Sequence, residues 1–376
     1  MRIELTEQQA RAKAEFRAFV DQEIAPHAAQ FDQEERVPDS VIRKLGREGY
    51  LGKVVPAQHG GTGDDMITFG LLNEELGRGC SSIRSLLTVH SMAAFSIMKW
   101  GSKEHKSRWL PQLVRGDLIG AFALSEPNVG SDAKSVETSA RLVGDSYVLN
   151  GRKRWMTFGQ IADIFLLFGQ IDGKVTAFLV EKDSPGFSVE PIRGILGTRG
   201  SMLAELRLEN CEIPKENRIG GIGFGLAAVG TSTLDIGRYS VAWGSVGIAQ
   251  ACLEACVSYT SQRTQYGVPI KDHDLVRQMM TNMITNTRAA RLLCLQAGYL
   301  KDSGDPRTVM DTWIAKYFAS TSAMKIATDA VQLHGANGCS SEYPVERYFR
   351  DAKIMEIIEA STQLQQINIA QYAYED

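Results

Sequence analysis

The chain has 376 residues, 44% of them hydrophobic, which is enough apolar material for two or three domains with a substantial core. A net charge of −3 and a pI near 6.1 exclude bulk attraction to nucleic acid or to an anionic membrane surface. No apolar run approaches the length of a membrane span, and the start MRIELTEQQ lacks a basic region followed by a hydrophobic one, which points to a cytoplasmic protein. The cysteines, Cys80, Cys211, Cys252, Cys256, Cys294 and Cys339, form no CxxC pair, so free thiols are expected rather than disulfides or zinc ligands. Cys252 and Cys256 sit one helical turn apart without nearby histidines and read as helix packing; no metal is expected.

Taken in order, the first segment is helical throughout. Thr6 followed by Gln9 is a capping-box signal, and Phe16, Phe19, Val20 and Ile24 then recur at helical spacing. A second helix is expected from near Pro38. The loop VVPAQHGGTGDD, Val54 to Asp65, breaks the helices with glycines and a proline; it is either a surface turn or a close backbone approach to something bound. SSIRSLLTVHSMAAF, Ser81 to Phe95, reads as a mostly apolar helix carrying Arg84, Thr88, His90 and Ser91, polar residues that need partners if buried.

From about Leu118 to Pro214 the period shortens. Tyr147 to Leu149, Ile164 to Phe168 and Thr176 to Val180 read as strands, with Asn150-Gly151 and Asp172-Gly173 as turn pairs. FALSEPNVGSD, Phe122 to Asp132, joins a strand to a Gly-Ser loop whose amides and hydroxyls suit a phosphate or a ring edge. The glycines of IGGIGFG, Ile219 to Gly225, are not a dinucleotide fingerprint, because no βαβ unit surrounds them and no acidic residue follows on a second strand.

Long helical patterns resume from Leu226, with apolar residues every three to four positions, as a helical bundle requires. His334, Gly335 and Gly338 close the last long one. Pro344 restarts the chain, and Val345, Tyr348, Phe349, Ile354, Ile357 and Ile358 recur at helical spacing. Glu359 follows directly. Two readings of it stand open: a solvated helix glutamate, or a carboxylate that has lost hydration and whose pKa rises toward the range of a proton-transferring base.

The run PVERYFRDAKIMEIIEAST, Pro344 to Thr362, resembles the C-terminal signature of the acyl-CoA dehydrogenase flavoproteins. FALSEPNVGSD, KRWMTFG (Lys153 to Gly159), GTRGSMLAELRLENCEIP (Gly197 to Pro214) and SQRTQYG (Ser261 to Gly267) match in the same order, so the resemblance spans the chain. It implies the α+β acyl-CoA dehydrogenase fold: an N-terminal all-α domain over 1–117, a middle β-barrel-like domain over 118–216, and a C-terminal four-helix bundle over 217–376. FAD is the cofactor implied. Glu359 matches the base that removes a proton beside the thioester carbonyl while a hydride leaves the neighbouring carbon for the flavin.

The resemblance also carries over a cofactor set. Trp155 and Thr157 match residues lying against the flavin ring and bonding near its N5, and Phe122, Leu124, Ser125, Gly130 and Ser131 belong to the same group. Arg263, Gln265, Tyr266, Gln332, Gly335, Ala336, Ser361 and Gln363 complete it, with Arg263 on the FAD pyrophosphate of a neighbouring subunit. A homodimer or homotetramer is thereby implied. Without the resemblance, Trp155 fills a sheet face and Arg263 complements a helix dipole.

Some family members place the base on another helix, at the position matching Gly237; here no side chain stands there, which leaves Glu359. Two departures are visible: Ile358-Glu359-Ala360-Ser361 stands where Tyr-Glu-Gly-Thr is usual, and Gly335-Ala336 replaces a glycine pair. CSSIRS, RDAKIMEIIE and Gly237 to Gly244 look most similar to the branch that oxidises acyl groups held on an acyl carrier protein, for hydroxymalonyl or methoxymalonyl extender units of polyketide antibiotics. A short polar acyl group is then expected, met by Arg84, His90, Ser131 and Arg238, since a fatty-acyl pocket gains nothing from buried charge. A salt bridge within the bundle is the other reading of Arg238, and a satisfied core histidine that of His90. Two alternatives stand beside this one: a short-chain acyl-CoA dehydrogenase of fatty-acid or amino-acid catabolism that passes electrons to an electron-transfer flavoprotein, and a catalytically silent flavin-binding scaffold.

Overall fold

The computed structural model describes residues 4–374; the extreme ends of the first and last expected domains lie outside the described residues. Helix α1 (Glu7–Glu23) starts at the expected capping box, with Thr6 Oγ1 accepting the Gln9 amide at 3.2 Å and the Gln9 side chain accepting the Thr6 amide at 3.0 Å. Helices α2 (Ala28–Glu34) and α3 (Asp39–Arg47) follow, then α4 (Met66–Gly79), α5 (Ser81–Trp100) and α6 (Lys103–Arg115). The glycine loop between α3 and α4 packs on itself. A Cβ on Gly61 would fall 1.9 Å from Val55 O.

Strands then take over: β1 (Gly120–Ala123), β2 (Ser139–Val143), β3 (Ser146–Met156), β4 (Ile164–Ile171), β5 (Lys174–Glu181), β6 (Phe187–Pro191), β7 (Ala204–Pro214) and β8 (Arg218–Ile219). They form one sheet in the order β6-β7-β3-β2-β4-β5-β8, with β1 parallel to β4. Asp172-Gly173 is the β4–β5 turn, at φ of 48° and 74°. Asn150-Gly151 is not a turn. It lies inside β3 at a bulge opposite β7, and a Cβ on Gly151 would come 2.6 Å from Thr138 Oγ1. The β2–β3 turn falls at Gly144-Asp145 instead. An Asn-Gly pair suits either feature, and only the neighbouring strand decides which.

One π-helical turn, Gly225–Gly230, leads into α7 (Thr231–Gln262). The short hairpin β9 (Thr264–Gln265) and β10 (Val268–Pro269) precedes α8 (Asp274–Asp302), α9 (Thr308–His334), α10 (Val345–Ile357) and α11 (Thr362–Tyr372). Helix α7 packs against α4, α5, α8, α9 and α10. Against expectation, Gly225–Gln262 is long and apolar enough to cross a membrane by length and composition, but 72% of its most apolar window is buried inside the protein. Its apolarity is that of a core helix, surrounded on all sides.

Glycines let α7 lie close to its neighbours. A Cβ on Gly77 of α4 would sit 2.6 Å from Gly244 O, and one on Gly244 would sit 2.6 Å from Arg84 Cδ of α5. All six cysteines are free, and all but Cys339 are buried. No cluster of metal-ligating side chains occurs among the described residues.

Candidate active site

Helix α10 ends at Ile357, and the chain then passes through two consecutive left-handed residues, Glu359 (φ 53°) and Ala360 (φ 79°), before Ser361 caps α11. Residues with a Cβ are strained there, so the surroundings must impose the turn. Ala360 O accepts Lys316 Nζ at 2.8 Å and Gln365 Nε2 at 2.6 Å. The turn carries the Glu359 carboxyl off the helix and against Gly237 of α7, where a Cβ would lie 2.5 Å from Glu359 Oε2 and 2.9 Å from Met92 Sδ.

Glu359 Oε2 is buried with no hydrogen-bond partner in the protein. Burial therefore dominates, and pushes the carboxyl up to about 7 against the opposing pull of Arg238, Lys316 and Arg84. The missing side chain at Gly237 is the space this carboxyl occupies. A Gly237→Ala variant is expected to slow substrate-driven flavin bleaching by about 10²-fold through displacement of the carboxyl, read by stopped-flow absorbance. A parental rate would mean that the reacting carboxylate does not sit over Gly237.

Three cations surround the carboxylate. Arg84, wholly buried on α5, donates to Thr88 Oγ1 at 2.8 Å, Ser85 Oγ at 3.0 Å and Met355 Sδ at 3.3 Å, while its Nε has no partner. Arg238 on α7 lies 4.0 Å from the Trp313 ring centroid, and its buried Nε is also unpartnered. Lys316 on α9 is wholly buried and bonds Ala360 O. None of the three forms an ion pair among the described residues, so the bundle salt bridge considered for Arg238 is not what holds it. Burial pulls Arg84 down to about 10 and Lys316 to about 7, and lowers Arg238.

The substrate contact expected of His90 is corrected. Its Nδ1 accepts the Gly120 amide at 3.2 Å, which leaves the proton on Nε2 to donate to Leu113 O at 3.1 Å. Both nitrogens are spent bracing α5 against α6 and β1. Burial holds the ring neutral by drawing it down to about 4.

A second group forms on the sheet. Trp155, half exposed and at φ 71°, is the penultimate residue of strand β3, and Thr157 and the buried Phe158 lie just beyond its end. The neighbouring Arg154 amide donates to Ser125 O at 3.0 Å, tying this end of β3 to the loop after β1. Beneath lies an ion pair that sequence reasoning missed. Lys153 Nζ donates to Glu126 Oε1 at 2.7 Å and to Leu124 O at 3.0 Å, with both charged side chains out of solvent. Glu126 also accepts the Glu137 and Thr138 amides and the Thr138 hydroxyl. Both residues lie within quoted motifs, but only the folded sheet shows that they meet.

Phe122, Leu124, Ser125, Trp155 and Thr157 are thus brought together, with Gly130 and Ser131 exposed on the same loop. An indole held half out of the sheet by left-handed backbone offers a flat apolar face, which fits a planar flavin ring. Elsewhere, Arg263, Gln265, Tyr266, Gln332, Gly335 and Ala336 line one cleft of about 460 Å³. None of the sheet group lines it. Tyr266 at the β9–β10 turn is 96% exposed and has φ 53°. Ser361 is spent as the cap of α11, accepting the Leu364 amide at 3.3 Å, and Gln363 is exposed in the first turn of that helix.

Three family models match the chain: acyl-CoA dehydrogenase N-terminal domain over residues 6–117, middle domain over 121–211 and C-terminal domain over 223–373. The chain is similar to the short-chain specific acyl-CoA dehydrogenase of Rattus norvegicus mitochondria, 38% identical over 98% of this chain and 90% of that protein. A glutaryl-coenzyme A dehydrogenase solved as a glutaryl-CoA complex superimposes with a TM-score of 0.96 at 34% identity, covering 100% of this chain and 97% of that one. FkbI, for biosynthesis of the methoxymalonyl extender unit of the Fk520 polyketide immunosuppressant, superimposes with a TM-score of 0.88 at 33% identity over 96% of this chain and 99% of that one.

Proposed function

The chain belongs to the acyl-CoA dehydrogenase family, FAD-dependent oxidoreductases acting on CH–CH bonds, and from that premise we propose that it oxidises a short acyl-CoA whose acyl chain ends in a carboxylate. The observation that carries this reading is the charge around Glu359. Two guanidiniums and an ammonium are buried beside a single carboxylate, each guanidinium with an unpartnered Nε. Leaving such groups uncompensated is costly, and an anionic acyl end would supply the missing partner. A wholly aliphatic chain would not. The short-chain relative supports the size of the acyl group, and the glutaryl-CoA neighbour supports its charge.

In this reaction Glu359 takes the proton from the carbon next to the thioester carbonyl. Bound FAD supplies the hydride acceptor for the adjacent carbon. Phe122, Leu124, Ser125, Trp155 and Thr157 would hold the ring, on the opposite side of the substrate from the base. Arg263 and Gln265 present donors that suit a pyrophosphate, and their cleft lies apart from the ring group, which supports a homo-oligomer in which each copy completes its neighbour's cofactor site. An electron-transfer flavoprotein would then reoxidise the flavin.

A second reading follows from the FkbI neighbour: the same pocket taking a hydroxymalonyl-type group from an acyl carrier protein. Anaerobic bleaching of the purified flavoprotein by glutaryl-CoA, butyryl-CoA and three-carbon hydroxylated carrier-protein thioesters separates the readings. Glutaryl-CoA is expected to bleach fastest. Measured at a pH above the acidic limb set by Glu359, Arg84→Met should lower kcat/KM for glutaryl-CoA by about 10²-fold, as expected for loss of a charged hydrogen-bond partner, and leave butyryl-CoA turnover within about threefold. Faster bleaching by butyryl-CoA in the parent would remove the acidic acyl group; bleaching by the carrier-bound thioester alone would move the enzyme to extender-unit chemistry.

A further inference from the structure

Lys316 stands on α9 with no exposed surface, and its ammonium makes one hydrogen bond, to Ala360 O at 2.8 Å. That oxygen already has a neutral donor, Gln365 Nε2 at 2.6 Å. Burying an ammonium is costly even after relaxation, and a second bond to one carbonyl does not explain it. Two other facts about the place do. The peptide being held follows Glu359 directly, and both Glu359 and Ala360 keep left-handed backbone despite their Cβ atoms. The carboxyl that this turn delivers is itself buried and unpartnered at Oε2.

We propose that Lys316 is a positioning residue for the reaction: its Nζ clamps the Ala360 carbonyl so that the Glu359 carboxyl stays over Gly237, and its charge, when present, favours the ionised form of that buried carboxyl. The proposal rests on the reading of Glu359 as the base. The clamp is two-sided, Lys316 reaching from α9 and Gln365 from α11. Other charged groups face the carboxyl from α5 (Arg84) and α7 (Arg238), and Lys316 also feels Glu356 of α10. Asp235 of α7 is taken by Lys301 of α8. Gly237 and Met92 complete the wall and do not titrate. Of the cations, Lys316 is the one that also holds the backbone beside the base.

Single-turnover bleaching of the holoenzyme by glutaryl-CoA and by butyryl-CoA across the neutral pH range tests this, with Glu359→Gln in parallel. Lys316→Met is expected to cut the limiting rate by about tenfold or more through misplacement. It should also move the acidic limb of the pH profile up by about one unit through loss of a neighbouring cation. Adding Ala360→Gly, which relaxes the left-handed turn, should recover the limiting rate of Lys316→Met but not the position of the limb. Lys316→Gln keeps a donor and removes the charge; it should shift the limb and spare the rate, and it carries the test if the methionine variant does not retain flavin. A flavin-loaded Lys316→Gln with the parental limb overturns the proposal. If Glu359→Gln reacts at the parental rate, the base reading falls and this one with it; if Glu359→Gln is dead while both Lys316 variants behave as the parent, the proposal alone falls.

Discussion

Glu359→Gln is expected to slow flavin bleaching by about 10³-fold or more, the upper range for loss of a general base, while the protein stays yellow and folded. Glutamine has the same shape and can lie over Gly237 as the carboxyl does, so what is lost is the proton acceptor. Among the described residues no other carboxylate is placed to substitute. Asp235 pairs with Lys301, and Asp351 accepts the Thr198 amide at 2.6 Å. The same chemistry fixes the pH dependence. Burial holds Glu359 at about 7, and only its ionised form can accept a proton, so the parental rate should climb as pH rises through about 7 and level off above it. Stopped-flow bleaching over that range measures both effects. A glutamine variant within tenfold of the parent would take Glu359 out of the reaction.

Lys153→Met should destabilise the protein by about 3–5 kcal/mol, the usual loss when one member of a buried ion pair is removed. Glu126 would remain buried with a negative charge and only neutral donors, and Leu124 O would lose its partner. In the parent those donors and the Lys153 ammonium hold the Glu126 carboxyl below its ordinary range, so the charge is present at neutral pH. The loss also reaches the cofactor, because Leu124 and Ser125 begin the loop beside Trp155. Denaturant unfolding together with flavin retention on a desalting column gives both readouts. Glu126→Gln combined with Lys153→Met should recover part of the stability, since no uncompensated charge remains. A loss below about 1 kcal/mol in the single variant would mean the pair is not ionised.

Much of this was legible in the chain. The capping box at Thr6 and Gln9, the close of α9 at Gly335 and the turn at Asp172-Gly173 depend on residues within a few positions of one another, and the structure has each where the pattern places it. The features that escaped depend on distant partners. His90 looked like a polar residue in need of a ligand until Leu113 and Gly120, 23 and 30 residues away, took both nitrogens. Asn150-Gly151 has the composition of a turn, and only its pairing with β7, some sixty residues further along the chain, makes it a bulge. Lys316 is one polar position in a helical pattern; its partner Ala360 lies 44 residues further on. The replacement of a usual glycine by Ala360 was visible in the sequence, but its consequence, a strained turn in need of a clamp, was not.

The close crossing of α7 bears on how acyl preference can be altered by directed evolution. Arg84 owes its place to Gly244, since even one added methyl would press on its Cδ at 2.6 Å. On the proposed reading of Arg84 as the contact for the acyl end, selectivity would be encoded partly by an absent side chain behind it, at Gly244. A library confined to pocket-lining residues would miss it, whereas enlarging position 244 would re-aim the guanidinium while keeping its charge.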